Sequence, residues 1–207
     1  MRSSRSKKLR SILVGLFALT LGMLMALTTL AWFSIPVQNK MKVFEKRKLI
    51  RPEIVSIIEI QTNKRILGLG EEFDAGGDWL KQAKFKLRND SGMEIIHISF
   101  ELEFPETASS GNVMVFPIWL GHRPGSIVFD TTEPLSLKPD EKMTITIDEA
   151  TYAKLVKFIE ARQALSSISK VTVRVEFVAF EDGTGWSAGE YLRQDPKNPR
   201  AYVPIKE

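Results

Sequence analysis

Residues 11–39 contain no charged side chain, whereas the ten residues before them contain five basic ones. Leu, Ile, Val, Phe, Ala and Met dominate residues 11–33, and as a helix these 23 residues would span about 34 Å. That length crosses a hydrocarbon core of about 30 Å, and soluble core helices are seldom apolar over so long a stretch. The pattern predicts a transmembrane helix over residues 11–33, with the lipid bilayer as its partner.

This helix is expected to be an uncleaved signal anchor, with a cleaved signal peptide as the alternative. Thr29-Leu30-Ala31 is a passable cleavage site, but the apolar stretch before it exceeds the usual 7–15 residues. Trp32 and Phe33 suit an interfacial aromatic belt. Basic residues are nearly balanced on the two sides, but one cluster directly abuts the apolar run. We therefore expect residues 1–10 to be a basic cytoplasmic tail at the inner (cytoplasmic) membrane, and the C-terminal domain to lie on the periplasmic or extracellular side.

The net charge differs in sign between residues 1–52 and the rest of the chain. Residues 1–52 hold 11 of the 29 basic and 1 of the 25 acidic side chains, so residues 53–207 hold 18 and 24, a net charge of −6. An acidic body on a basic stem is not typical of nucleic-acid binders, so no nucleic-acid partner is predicted. Residues 34–53 are expected to form a basic stalk, either solvated or resting on anionic head groups.

The clearest alternation of apolar and polar residues surrounds a turn cluster at residues 89–92. Before the turn, Phe85 and Leu87 alternate with Lys84, Lys86 and Arg88. After it, the apolar set is Ile96, Ile98, Phe100, Leu102 and Phe104. A period of two on both sides of a turn predicts an antiparallel hairpin with one buried face.

Further strands are predicted over residues 54–60, 113–120, 126–129, 143–147 and 171–177. The Asp182-Gly183 turn is expected to return the chain and place Trp186 in the core, followed by an extended proline-containing tail pinned by Tyr202 and Ile205. About seven strands at this spacing favour a mainly β fold, an immunoglobulin-like antiparallel sandwich over residues 54–207.

One amphipathic helix is predicted to interrupt the strands. Asp148 is a good N-cap, and Tyr152, Leu155, Val156 and Ile159 form one apolar stripe. We expect this helix to cover one end or face of the sandwich, with docking on a membrane or a partner as the alternative.

Candidate chemistry is sparse. The absence of cysteine excludes disulfides, thiolate metal sites and thiol catalysis. His97 is predicted on the solvated face of its strand and His122 in a loop, with no spacing typical of a triad or a zinc site. Glu101 and Glu103 share one face of a strand, as catalytic carboxylates can, but they also suit a solvated face.

Calcium-binding and aromatic ligand-binding sites are the remaining candidates. Asp74, Asp78 and Asp182 lack the calcium-loop pattern. Exposed aromatic residues would make a glycan site, for which the candidates are Trp119, Trp186 and Tyr191. No catalytic, cofactor-binding or metal-binding residue is predicted.

Two pairs of motifs carry a resemblance. Phe180-Glu-Asp-Gly-Thr-Gly-Trp186 and Asp195-Pro-Lys-Asn-Pro199 resemble segments of uncharacterised exported proteins of soil bacteria. Residues 85–92 and Leu137-Lys-Pro-Asp-Glu141 are similar to small immunoglobulin-like extracellular modules, which usually carry Gly where Asp140 stands. The resemblance implies fold and location, and no activity.

The sequence therefore favours a non-enzymatic, membrane-anchored envelope protein whose domain mediates protein interaction or envelope assembly. The alternatives are a carboxylate-dependent hydrolase and a glycan-binding module of the envelope.

Overall fold

A computed structural model describes residues 40–48, 51–62, 65–124 and 133–205. These residues are mainly β, with one α-helix and two short 3-10 turns, η1 (Pro105–Ser110) and η2 (Leu165–Ser167). The strands are β1 (Lys42–Lys46), β2 (Val55–Thr62), β3 (Arg65–Leu67), β4 (Glu72–Phe73), β5 (Lys84–Asn89), β6 (Ile95–Phe104), β7 (Met114–Gly121), β8 (Lys142–Thr146), β9 (Lys170–Phe180), β10 (Thr184–Ser187), β11 (Glu190–Asp195) and β12 (Asn198–Pro204).

The strands form two sheets. The smaller sheet has the antiparallel order β3-β2-β5-β8. In the larger sheet, β9 pairs with β6 along one edge, and β6 pairs with β7. The other edge of β9 is shared, since its first half pairs in parallel with β1 and its second half pairs with β10. β4 extends the sheet beyond β1, and the antiparallel strands β11 and β12 extend it beyond β10.

Both sheets contribute to one hydrophobic core. The Phe85 ring of the smaller sheet lies 5.5 Å from Phe44 and 5.0 Å from Phe100 of the larger one, centroid to centroid. These aromatic contacts stabilise the packing because each ring removes a large apolar area from water. The alternation predicted for β5 and most of β6 is thus confirmed by burial of the apolar set.

The predicted helix is confirmed as α1 (Glu149–Glu160). The Asp148 carboxylate accepts a hydrogen bond from the Thr151 amide at 2.7 Å, which satisfies one of the free N–H groups at the helix start. Leu155 and Ile159 are fully buried, and Phe158 packs against Phe116 of β7. The apolar stripe therefore faces the domain itself.

The predicted hairpin around residues 89–92 is wrong. β5 pairs with β2 and β8, whereas β6 pairs with β7 and β9, so the two alternating strands lie in different sheets. The turn cluster forms an arch between the sheets, held by buried Asn89, whose side chain bonds main-chain groups of Ser91, Met93 and Leu137.

The stalk prediction for residues 34–53 is also corrected, because residues 42–46 are a strand of the larger sheet. Phe44 has 0% exposure. The Lys42 ammonium is buried and donates to the carbonyls of Ile168 at 2.7 Å and Ser166 at 3.2 Å. Burial lowers the pKa of Lys42, and the nearby Glu106 carboxylate opposes that shift. The folded unit therefore begins before residue 42 and not at residue 54.

Glu106 of η1 links the start of β9 to Lys40, which precedes β1. Its carboxylate accepts from the Ser169 hydroxyl at 2.6 Å and from the amides of Ser169 at 2.6 Å and Lys170 at 3.1 Å. It also pairs with the Lys40 ammonium at 3.0 Å. Burial alone would raise the pKa of Glu106, but these hydrogen bonds outweigh it and hold that pKa below its usual value.

The prediction for the C-terminal segment is confirmed for the turn and Trp186 but wrong for the tail. The turn after β9 returns the chain as β10, and Trp186 is 1% exposed, as predicted. The segment beyond it is not an extended tail, because β11 and β12 form a hairpin that turns at residues 196–197. Pro199 and Pro204 lie in its edge strand, where a missing N–H costs no ladder bond inside the sheet. Tyr202 packs against Phe177, whereas Ile205 is exposed.

The transmembrane prediction falls on residues 11–33, which lie outside the described residues, as does the strand predicted over 126–129. Among the residues that are described, no helix has the length and apolarity needed to cross a membrane.

Candidate functional site

The outward face of the larger sheet carries a row of side chains from three neighbouring strands. Residues directly opposite each other in paired strands share a face. Ser99 of β6 lies opposite Trp119 of β7 on one side and Phe177 of β9 on the other. These three side chains therefore form one row across the sheet, on the face opposite the core. Trp119 stands at the edge and is 53% exposed.

An aromatic cap, made of His97, Arg123, Phe177 and Tyr202, covers the neighbouring part of this face. The Phe177 ring lies 4.9 Å from Tyr202 and 6.0 Å from His97, centroid to centroid. The Arg123 guanidinium lies 4.6 Å from the centroid of Phe177, within the range of a cation–π contact. Burial raises the pKa of the Tyr202 phenol, and the charge of Arg123 opposes the shift.

A glycine makes room for this cap. A Cβ at Gly185 of β10 would lie 3.1 Å from Tyr202 Cε1 and 3.2 Å from Phe177 Cε2. It would also lie 2.9 Å from the carbonyl oxygen of Val178, closer than real Cβ contacts allow. The absence of a side chain at Gly185 thus leaves the space that the Tyr202 ring of β12 occupies next to Phe177.

The structure corrects the placement of His97 on a solvated face. His97 is 3% exposed, and its Nδ1 lies 3.0 Å from the carbonyl oxygen of Gly121. The sequence alternation correctly predicts which face His97 occupies. It cannot show that the other members of the aromatic cap cover that face. His122 is exposed in the loop after β7, as expected.

Below the cap, the same face carries a network of charges around Arg174. Its guanidinium contacts Glu101 at 2.6 Å, Glu103 at 3.2 Å and Glu176 at 3.2 Å. Arg47 pairs with Glu103 at 2.9 Å. Glu101 and Glu103 therefore share a face, as predicted, and Arg174 joins them in one ion-pair network.

Glu176 differs from the other carboxylates of this network. Burial raises its pKa, and Arg174 opposes the shift. A carboxylate held this way is more easily protonated than a solvated one, because burial penalises its charged form.

The remaining candidates are dispersed. Trp186 faces the core, and Tyr191 is 45% exposed on β11, where its ring lies 6.4 Å from that of Phe180. The Asp182 carboxylate accepts from the amide and hydroxyl of Thr184 within its own turn. In the described ranges, no three His, Asp or Glu residues are grouped so as to hold a metal ion.

The sequence does not predict Arg123, Arg174 or Tyr202 as residues of this face. Arg174 lies in an alternating strand and carried no distinguishing signal. The sequence predicts Tyr202 only as a contact of the tail, although Gly185 inside a strand is a sign of close backbone approach. Arg123 lies in a loop, where no period constrains a side chain.

Searches with family models, among curated proteins and among solved structures find no match to this chain.

Proposed function

We propose that this is a non-enzymatic, single-pass membrane protein of the cell envelope, whose immunoglobulin-like domain binds another protein through the outward face of its larger sheet. Residues 11–33 would anchor it in the inner membrane, with residues 1–10 in the cytoplasm. The proposal for the anchor rests on the uncharged run over residues 11–39 and the basic cluster before it.

The strand order supports the immunoglobulin-like assignment. Four strands of the larger sheet follow one another as β7-β6-β9-β10, and the facing sheet contains β2-β5-β8. These orders match the C′-C-F-G and A-B-E strands of an immunoglobulin-like sandwich, with α1 in the E–F connection. The chain departs from antibody domains in having no cysteine pair and no tryptophan on β6.

The exposure of Trp119 beside the aromatic cap is the observation that carries the binding proposal. Trp, Tyr and Arg are the residue types that most often dominate binding energy at protein interfaces. Here Trp119 lies on β7, and Arg123 lies in the loop that follows, where its guanidinium contacts the Phe177 ring of β9. A partner offering an apolar side chain to Trp119 and a carboxylate to Arg123 would match this chemistry.

Site-specific photocrosslinking in membranes tests the binding face. A photoreactive residue at position 119 should yield a crosslinked species of defined mass, and the same residue at Leu69 should not. Leu69 is a suitable control because it is an exposed apolar residue in the turn after β3. Arg123→Ala should reduce the crosslink. No crosslink at 119, or equal crosslinking at both positions, would reject the proposed face.

Location has its own test. A reporter fused after Glu207 that is active only outside the cytoplasm should be active, and cytoplasmic activity there would reverse the proposed orientation. Mass spectrometry showing a mature chain that starts at Trp32 would replace the anchor by a cleaved signal peptide.

A glycan platform is the second candidate, and the exposure of Trp119 favours it as well, because sugar rings also stack on exposed tryptophan. Quenching of Trp119 fluorescence by soluble glycans, absent in Trp119→Phe, would support this candidate. Crosslinking to a protein partner that soluble glycans do not compete away would reject it.

A further inference from the structure

The outward face of the smaller sheet carries a polar depression that the proposed function does not use. Three strands line it in two rows, each with one residue from β2, β5 and β8. The rows are Gln61, Lys84 and Thr146, and Glu59, Lys86 and Thr144. The depression has a volume of about 400 Å³.

The charge of this depression is opposite to that of the domain around it. Two lysines and one glutamate line it, and the Lys86 Nζ lies 3.7 Å from the Glu59 carboxylate. The depression is therefore net positive, whereas residues 53–207 together carry a net charge of −6. An anion approaching an otherwise acidic domain is drawn to such a site.

The uncharged groups of the depression favour an anionic sugar over anions that lack hydroxyl groups. Two hydroxyls and one amide surround the lysines, and these groups both donate and accept hydrogen bonds, as sugar hydroxyls require. None of the six residues is aromatic, so nothing there stacks nucleobases as single-strand binding sites do. Ile66 lies opposite Gln61 at the rim and is exposed, which offers an apolar contact to the C–H face of a sugar ring.

The spacing of the two lysines favours a chain over a single sugar. Lys84 and Lys86 are two residues apart on one strand, so their Cα atoms are separated by about 6.6–6.8 Å along β5. A linear polymer running along that strand can present successive units to both ammonium groups.

We propose that this depression, formed by Gln61, Lys84, Lys86, Thr144 and Thr146 with Glu59 at one side, is a binding site for an acidic polysaccharide. Lys84 and Lys86 bind the carboxylates of the polymer. Thr144, Thr146 and Gln61 bind its hydroxyls, and Glu59 accepts from them. This site lies on the opposite sheet from Trp119, so its ligand binding can be tested independently of the proposed protein-binding face.

Binding of oligogalacturonate to the full chain in zwitterionic nanodiscs tests this proposal. We expect saturable binding that weakens as salt is raised. Lys84→Gln with Lys86→Gln should weaken it roughly tenfold or more, since charge-assisted hydrogen bonds are lost. Lys154→Gln with Lys157→Gln makes the same charge change on exposed residues of α1 and should leave binding unchanged.

Thr144→Val with Thr146→Val separates sugar recognition from charge attraction. This pair keeps both lysines and should still weaken oligogalacturonate binding. All six variant side chains lie on the surface or at its margin, and circular dichroism melting confirms that each variant is folded.

Four results would overturn the proposal. They are an absence of oligogalacturonate binding, equal loss in the α1 control, equal affinity for single-stranded DNA or polyphosphate, and equal binding to vesicles of anionic lipid. A fifth result, binding of the neutral polymer dextran at similar strength, would also overturn it, because the lysines would then have no role.

Discussion

The side-chain amide of Asn89 donates to the carbonyl oxygen of Leu137 at 2.9 Å, which ties the arch between the two sheets to the segment that leads into β8. The same amide donates to the Met93 carbonyl at 2.8 Å, and its oxygen accepts from the Ser91 amide at 2.9 Å. Asn89 is fully buried, so water cannot replace these bonds. One side chain thus satisfies main-chain groups of both connections.

Asn89→Ala should destabilise the domain by about 1–3 kcal/mol, because it leaves buried main-chain groups without partners. Urea unfolding followed by fluorescence measures this. Asn112→Ala changes an exposed asparagine and should leave the midpoint in place. Equal midpoints for both variants would contradict the role assigned to Asn89.

Trp186→Ala should cost about 3–5 kcal/mol, the range for truncating a buried large aromatic. Trp119→Ala is the matched control, since the same change at an exposed site should stay within about 0.5 kcal/mol. A Trp186→Ala midpoint equal to wild type would show that this side chain does not stabilise the core.

Asp140 has a φ of +62°, and the turn around it closes through a hydrogen bond from the Glu141 amide to the Lys138 carbonyl at 3.0 Å. Glycine adopts this conformation without a steric penalty, so Asp140→Gly should leave stability unchanged or slightly higher. Asp140→Val should lower it by about 1–2 kcal/mol. Thermal melting of the two variants compares them, and equal melting temperatures would argue against a backbone constraint at this position.

Phe44→Ala should destabilise the domain by about 3–5 kcal/mol, because β1 belongs to the core of the larger sheet. Met41→Ala, a change at the exposed residue directly before β1, should have little effect. If Phe44→Ala unfolds at the wild-type urea concentration, β1 is a stalk after all.

Glu106→Gln should reduce stability at pH 7 by an amount that shrinks as the pH falls. The folded pKa of Glu106 lies below its unfolded value of about 4.3, so its ionised form contributes stability above that value. This contribution is lost as the pH drops through the folded pKa. Denaturation midpoints of both proteins between pH 7 and pH 3 should therefore converge, and a constant difference would exclude the linkage.

Alternation could identify β5 and β6 but not their partners. Phe85, Phe100 and their neighbours show the same period whether two strands form a hairpin or cross between sheets, because each strand buries one face in either case. In the structure the connection between them is an arch, and the Asn89 side chain bonds across it to Leu137, 48 residues further along the chain.

β1 could not be predicted because its composition is that of a stalk. Lys42 and Lys46 flank Phe44, and a buried lysine whose ammonium binds carbonyls of η2 and its C-terminal neighbour looks like any other basic residue in sequence. The candidate interaction face could not be predicted from the sequence either, because Tyr202 contacts Phe177 only through the pairing of the last three strands.

The parallel pairing of β1 with β9 has a mechanical consequence. The chain enters β1 at its N-terminal end, so tension applied before residue 40 along the strand loads the paired positions from Val43 to Lys46 together, in shear. The edge hairpin of β11 and β12, pulled from its free end, would instead peel one bond at a time. Optical-trap extension through residue 40 should therefore require more force to detach β1 than extension through Ile205 requires to detach β12.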